Sequence, residues 1–221
     1  MPGEVFLDND IVIKSCQFAI TEDLLNVLRP IGSPHILSVS AYVIPKRVAT
    51  KKGLSNLQRI TDDCAALLAE LIKVEPTDEE INLAADFEDR ARAMQLELDV
   101  GESQLLAILI SRQSQLMVTG DKRAISAAEV FIEARPECRH KIACFEQILL
   151  EILRYKDAGA LRTNICAEAV ADKAISICFS CQQACVRQDD VFEGLKSYIG
   201  AVRGKAAESL VISDDLSALS S

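Results

Sequence analysis

The sequence predicts an α/β protein: a central, mainly parallel β-sheet with helices on both faces, and therefore a three-layer α/β/α fold. Short apolar runs typical of buried strands occur at residues 4–7, 115–121 and 141–145. Longer stretches between these runs have apolar residues at helical spacing. Strands that alternate with helices are joined by crossovers, and such connections build a parallel sheet. Extra helices are expected after the last strand.

The N-terminal part begins with a strand and two helices. Residues 4–7, EVFL, predict the first strand, and residues 10–19 have the apolar spacing of a helix. Thr21 is the predicted N-cap of a second helix, which ends at residues 30–32, Pro-Ile-Gly, because proline and glycine terminate helices. Residues 34–44 are compatible with either a helix or a strand.

The middle of the chain has three clearer helical signals. Apolar residues recur on one helical face over residues 54–73. Thr77 and Glu80 form a capping-box pattern, in which each side chain accepts a hydrogen bond from the other residue's backbone amide, so a helix is expected to start there. A third, strongly apolar helix is predicted over residues 101–110.

Three predicted strands are each followed by an acid: Asp8, Asp121 and Glu146. The carboxyl ends of parallel strands meet at one edge of the sheet, where ligands bind, so we expect these carboxylates to converge. Clustered acids repel one another unless a divalent cation neutralises them, and hard oxygen ligands select Mg²⁺ or Mn²⁺. Structural explanations compete, because Asp10 suits a helix N-cap and Glu102 is stabilised by the helix dipole.

Three short motifs together resemble the PIN-domain nucleases: FLDNDI, DVGESQLLAI and LMVTGDKRAI. In that family an Asp ends the first strand, an acid lies early on a later helix, and a T-x-D motif ends the following strand. The resemblance implies that Asp8, Glu102 and Asp121 are catalytic ligands of Mg²⁺ or Mn²⁺, that Asp10 assists them, and that Thr119 is the threonine of the T-x-D motif. The implied activity is hydrolysis of RNA or, in some branches, of DNA.

The resemblance covers residues 4–146 and predicts a PIN-like domain at 1–150, a helical extension packed on it at 151–212, and a flexible tail at 213–221. Family members usually carry a further acid on an intervening helix, and spacing does not choose among the candidates Asp62, Asp63, Glu79 and Glu80. Without that acid, the protein would be a catalytically silent PIN-like module that binds a partner protein.

Basic residues border the predicted site. Lys122 and Arg123 directly follow Asp121 and are expected, with Thr119, to contact substrate, because cations beside a metal centre suit a phosphodiester backbone. A second cluster has a solvated surface as an equally good explanation: Lys46, Arg47, Lys51 and Lys52. A low aromatic content of 5% predicts that base stacking does not dominate recognition.

The functional hypothesis is a metal-dependent nuclease, with RNA favoured over DNA as substrate. The net charge of −9 does not exclude nucleic acid, since local basic patches can hold a phosphate backbone. A phosphatase is a second enzymatic alternative, because Asp8-Asn9-Asp10 matches a D-x-D nucleophile motif, although a matching second lysine and acid pair is not evident. A protein partner or inhibitor and a homo-oligomer are also compatible with the sequence.

Composition predicts a protein outside the membrane. The chain has 221 residues, of which 49% are hydrophobic, but it lacks an uncharged apolar run of membrane-spanning length and a signal-peptide pattern, so a cytoplasmic location is expected. The eight cysteines should then be reduced. Cys178, Cys181 and Cys185 share one face of a predicted helix, which favours burial over zinc binding.

Overall fold

Buried apolar strands build the centre of the molecule, as seen in a computed structural model that describes residues 3–219. Val5, Phe6 and Leu7 of the first strand are almost completely buried, because this strand is central in a five-stranded parallel sheet of order β3-β2-β1-β4-β5. Eleven helices flank this sheet in the described part of the chain. The predicted α/β fold with a central parallel sheet in three layers is confirmed.

The sheet consists of β1 (Gly3–Leu7), β2 (Gly32–Leu37), β3 (Ile72–Val74), β4 (Leu116–Thr119) and β5 (Ile142–Cys144). The helices of the first 150 residues are α1 (Asn9–Gln17), α2 (Thr21–Leu28), α3 (Ser40–Thr50), α4 (Leu57–Glu70), α5 (Asp78–Ala93), α6 (Val100–Ser111), α7 (Lys122–Phe131) and α8 (Phe145–Ile152). The remaining helices are α9 (Ala158–Ala167), α10 (Lys173–Cys178) and α11 (Gln188–Arg203). None of the helices within residues 3–219 combines the length and the apolar character that a membrane crossing requires.

Several boundaries differ from the sequence-based expectations. The ambiguous stretch 34–44 divides into the end of β2 and the start of α3. The helix predicted over 54–73 ends at Glu70, and β3 follows it, a strand that the sequence did not predict. Ile20, rather than Thr21, precedes α2 as its N-cap residue. The capping box of Thr77 and Glu80 is confirmed.

The C-terminal extension is tied to the rest of the chain by buried polar contacts. Glu168 is 2% exposed, and its carboxylate accepts hydrogen bonds from the backbone amides of Ser55 and Asn56, at the start of α4. The predicted boundary at residue 150 lies inside α8. Within the predicted tail of residues 213–221, Leu216 is fully buried, while residues 220 and 221 lie outside the described chain.

The outer edge of β5 is covered by a segment from the C-terminal extension. The amide of His140 donates to the carbonyl of Glu208 over 2.7 Å, and that of Ile142 donates to Ser209 over 3.1 Å. The amide of Val211 returns a hydrogen bond of 2.8 Å to the carbonyl of Ile142. This segment, residues 208–211, satisfies backbone groups that an open sheet edge would leave unpaired.

The expectation of reduced thiols on one helical face is wrong for part of the cysteine set. Cys166 and Cys181 form a disulfide, which links the end of α9 to the turn after α10. Helix α10 ends at Cys178, so Cys181 and Cys185 lie beyond it, and Cys185 is exposed. The bond persists in an oxidising compartment, whereas cytosolic glutathione would keep the two thiols reduced.

We expect Cys181→Ala to lower the free energy of unfolding by about 3 kcal/mol in the oxidised protein, because the cross-link closes a loop with a sequence separation of 15. Urea titrations of the oxidised wild type and the variant measure this difference. The matched control is Cys185→Ala, which removes an exposed free thiol and should leave stability unchanged. Equal stability of the oxidised wild type and Cys181→Ala would show that the bond does not constrain the fold.

Candidate carboxylate site

An open cavity of about 550 Å³ lies at the carboxyl edge of the sheet. Acids from four separate parts of the chain line it: Asp8, Asp10, Asp99, Glu102, Asp121 and Asp172. A second opening of about 350 Å³ shares Asp99, Glu102 and Asp121 with the first. The structure therefore brings Asp8, Asp10, Glu102 and Asp121 together, as the sequence predicted, and adds two acids that the sequence analysis missed.

Thr119, the last residue of β4, links two of these acids. Its hydroxyl donates to Oδ2 of Asp8 over 3.4 Å and accepts a 3.1 Å hydrogen bond from the backbone amide of Asp121. Thr119 is 1% exposed, so its role is to position the carboxylates on neighbouring strands. Substrate contact by Thr119 would require access that this burial does not provide.

Asp99 and Glu102 are held together at the start of α6. Asp99 is the N-cap residue, its Oδ1 accepts from the amide of Glu102 over 2.9 Å, and Oε2 of Glu102 accepts from the amide of Asp99 over 3.0 Å. This capping box supports the structural explanation for Glu102, yet both residues also line the cavity. The D-x-x-E spacing was visible in the sequence and could have identified Asp99.

Burial and mutual repulsion make two of the carboxylates weak acids. Burial raises the pKa of Asp8 to about 6, and the nearby carboxylates of Asp10 and Asp99 add to this effect. Burial also raises the pKa of Glu102 to about 8, with repulsion from Asp99, Asp8 and Asp121 acting in the same direction. Glu102 therefore holds its proton at neutral pH when no cation is present.

A buried lysine neutralises a different pair of acids. Lys14 is 8% exposed, and its ammonium lies 2.6 Å from Oδ2 of Asp10 and 2.5 Å from Oδ2 of Asp172. Burial disfavours its charged form, but the two carboxylates outweigh this and raise the pKa of Lys14. Gly120 allows this arrangement, since a Cβ there would lie 2.7 Å from Oδ2 of Asp10. Lys14 and Asp172 connect the extension directly to the site.

Arg123 holds Asp121 in place at the start of α7. The Asp121 carboxylate accepts from the backbone amide of Arg123 over 2.8 Å and from its guanidinium over 2.6 Å. Burial raises the pKa of Asp121, but the hydrogen bonds and charge of Arg123 outweigh burial and lower it. Arg123 also pairs with Glu97, so its charge is shared between two acids before any substrate binds.

Glu146 does not reach the cavity, and its predicted place among the convergent acids is corrected. It is fully buried, and its Oε1 lies 2.7 Å from the ammonium of Lys122. Lys122 also donates to the carbonyl of Gly120 over 2.9 Å. The strand ends at Cys144 and α8 begins at once, so Glu146 is the second residue of a helix and faces the interior. Lys122 therefore balances a buried charge instead of offering a free one.

The four candidates for the further acid all lie outside the cavity. Asp62 accepts from Gln58, Asp63 pairs with Arg59, and Glu80 is held by Thr77 and Arg112. Glu79 also belongs to the first turn of α5, away from the lining residues. Asp99, the N-cap residue of α6, lines the cavity instead.

The basic cluster of α3 contributes one residue to the cavity, Arg47, which is exposed and has no ion-pair partner within residues 3–219. Lys51 instead donates to the side chain of Gln17 and to the carbonyl of Ala171. Arg47 is therefore better placed than Lys122 to meet an incoming anion.

The acids fit a hard divalent cation by the chemistry of their donors, since they offer carboxylate oxygens alone. Burial and mutual repulsion raise the pKa values of Asp8 and Glu102, and a bound cation would lower both values because it attracts the charged carboxylates. Within residues 3–219, however, no group of three or more His, Cys, Asp or Glu side chains is already arranged to hold a metal ion.

Comparison with protein-family models, curated proteins and solved structures found no match to this chain.

Proposed function

We propose that the protein is a PIN-like, metal-dependent nuclease that hydrolyses phosphodiester bonds, with RNA as its substrate. The observation that carries this proposal is the convergence of Asp8, Asp99, Glu102 and Asp121 in one open cavity at the carboxyl edge of a parallel sheet. Three of these acids occupy the positions that the resemblance to PIN-domain nucleases assigns to metal ligands. Asp99 is the fourth.

In this proposal, Asp8, Asp99, Glu102 and Asp121 hold Mg²⁺ or Mn²⁺. The cation, when bound, activates a water molecule and stabilises the charge of the phosphoryl transition state. Thr119 fixes the relative positions of Asp8 and Asp121, and Arg123 fixes the Asp121 carboxylate. Lys14 pairs with Asp10 and Asp172, so a side chain partly neutralises these two acids and they are not assigned to the metal ion.

The shape and charge of the cavity favour a polymer over a compact phosphoester. The cavity is open, and residues of α3, α7 and the extension line it beside the acids. Arg47 offers an uncommitted positive charge at its rim, as backbone recognition requires. Specificity for RNA over DNA comes from the resemblance alone.

The test is cleavage of end-labelled single-stranded RNA with Mn²⁺ or Mg²⁺, compared with DNA and with p-nitrophenyl phosphate. We expect the wild type to cleave RNA and a chelator to abolish this cleavage. In Asp121→Asn the cleavage rate should fall by about 100-fold or more, because the substitution removes a carboxylate ligand of the metal ion. The matched control is Asp62→Asn, which changes an acid outside the cavity and should keep full activity.

Two outcomes would contradict this proposal. Hydrolysis of the small phosphoester alone would indicate a phosphatase. No hydrolysis of any substrate would favour the silent module, which one observation already supports: Lys14, Lys122 and Arg123 each pair with an acid at or beside the site, so part of its charge is balanced without metal.

A further inference from the structure

We propose that the groove between α7 and α11 binds a base of the substrate strand beside the carboxylates, with Tyr198 as its stacking platform. This inference rests on the proposed nuclease function and specifies the form of the substrate. It makes Tyr198 a residue that determines specificity for single strands.

Tyr198 belongs to two adjoining cavities. It lines the carboxylate cavity, and it also lines a smaller one of about 220 Å³ that continues along α11. Both cavities share Lys122 as well, so they form one continuous groove past the ring. Ser126 and Ala201 are small wall residues of the second cavity, which leaves room for a flat base.

A lysine lies over one face of the Tyr198 ring. The ammonium of Lys122 lies 5.2 Å from the ring centroid, and Lys122 itself is held by Glu146 and by the carbonyl of Gly120. The ring is half-buried, and a base would stack on the face opposite Lys122. Any base has a π-face, so such a platform accepts different sequences.

The far end of the groove carries a suitable partner for the strand's backbone. Lys205 lines the second cavity and is exposed, without an ion-pair partner in the described chain. It follows the C-terminal end of α11, which also carries Tyr198. Along the groove, the carboxylates would therefore hold the cleavage site, the Tyr198 ring would hold the base, and Lys205 would hold a phosphate.

Only an unpaired base can use this platform. Bases within a duplex are stacked on their neighbours, and their faces are not accessible to a side chain. The groove therefore selects single-stranded RNA, and duplex RNA should bind without the stacking contact, through phosphate contacts such as that of Arg47.

The experiment measures binding of a single-stranded RNA oligonucleotide containing 2-aminopurine, with Ca²⁺ replacing Mg²⁺ to suppress cleavage. We expect Tyr198→Leu to weaken binding by about 5- to 150-fold, as loss of one stacked base predicts, and to abolish the quenching of 2-aminopurine fluorescence. Tyr198→Phe should retain both. Tyr155→Leu is the matched control, since Tyr155 is exposed and hydrogen-bonds to Asp23 elsewhere on the surface.

The outcomes separate this inference from the nuclease proposal. If wild type cleaves the RNA with Mn²⁺ but Tyr198→Leu binds and quenches equally well, the stacking role is wrong and the nuclease proposal stands. If wild type neither binds nor cleaves RNA, both fail. If Tyr198→Leu does not fold, Lys205→Ala tests the same groove. In this variant, the slope of the logarithm of the RNA-binding constant against the logarithm of salt concentration should become shallower by up to about one unit. An unchanged slope would exclude the groove as the binding site.

Discussion

We expect Asp8→Asn to abolish the proposed RNA hydrolysis and at the same time to stabilise the protein. The activity should fall by about 10³-fold or more, equivalent to about 4 kcal/mol of transition-state stabilisation, because an amide is a far weaker ligand for Mg²⁺ than a carboxylate. The stability should rise because Asp8 is 9% exposed and lies near Asp10 and Asp99, so its ionisation is unfavourable in the folded protein.

The pH dependence of this stabilisation follows from the direction of the shift. The folded protein binds the Asp8 proton more tightly than the unfolded chain does, since burial raises the pKa from 3.8 to about 6. The unfolding free energy of the wild type therefore falls as the pH rises from about 4 to about 6. The asparagine of the variant cannot ionise, so this position causes no such fall. The two proteins should be nearly equal at pH 4 and differ by about 2–3 kcal/mol above pH 6.

Urea titrations at several pH values, in the presence of a chelator, measure this difference. Asp62→Asn again serves as control, because this substitution changes an exposed carboxylate that lies outside the cavity. If Asp8→Asn keeps the wild-type cleavage rate, Asp8 has no part in the reaction. If the difference in stability does not depend on pH, burial does not raise the pKa of the Asp8 carboxyl group.

Lys14→Met will have the largest effect on folding. The substitution leaves Asp172, whose side chain is 11% exposed, without its counter-ion, and breaking a buried ion pair in this way costs about 3–5 kcal/mol. Adding Asp172→Asn should recover part of the loss, because the uncompensated charge disappears.

Thermal and urea unfolding of Lys14→Met, Asp172→Asn and the double variant give the coupling energy between the two residues. Arg92→Met is the control, since the Arg92–Asp89 pair is exposed and should contribute less than about 1 kcal/mol. A loss below about 1 kcal/mol in Lys14→Met would mean that the buried cation does not hold the extension to the site.

The positions of Asp8, Glu102 and Asp121 were predictable because each depends on local order in the chain. An acid within two residues of the end of a parallel strand lies at the carboxyl edge of the sheet, as Asp8 and Asp121 do. Glu146 lies as far beyond its strand as Asp121 does, but Asp121 is the N-cap residue before α7, whereas Glu146 is already the second residue of α8 and is fully buried. The same local reasoning therefore failed there.

Long-range contacts account for most of what the sequence did not reveal. Lys14 and Asp172 meet only because the extension folds back over α1, and no local pattern couples them. The strand β3 has three residues, two of them exposed, so its apolar spacing was too short to recognise. Asp99 is a different case. The sequence shows its capping-box pattern, but it does not show that the residue lines the cavity.

The segment over the outer edge of β5 has a consequence for synthesis on the ribosome. Residues 142–144 leave the ribosome well before residues 208–211, which later cover their hydrogen-bonding groups. At translation rates of about 5–20 residues per second, the nascent sheet carries an open edge for on the order of ten seconds. Open edges pair with other chains, so ribosomal stalling or premature termination within this interval would release an aggregation-prone product.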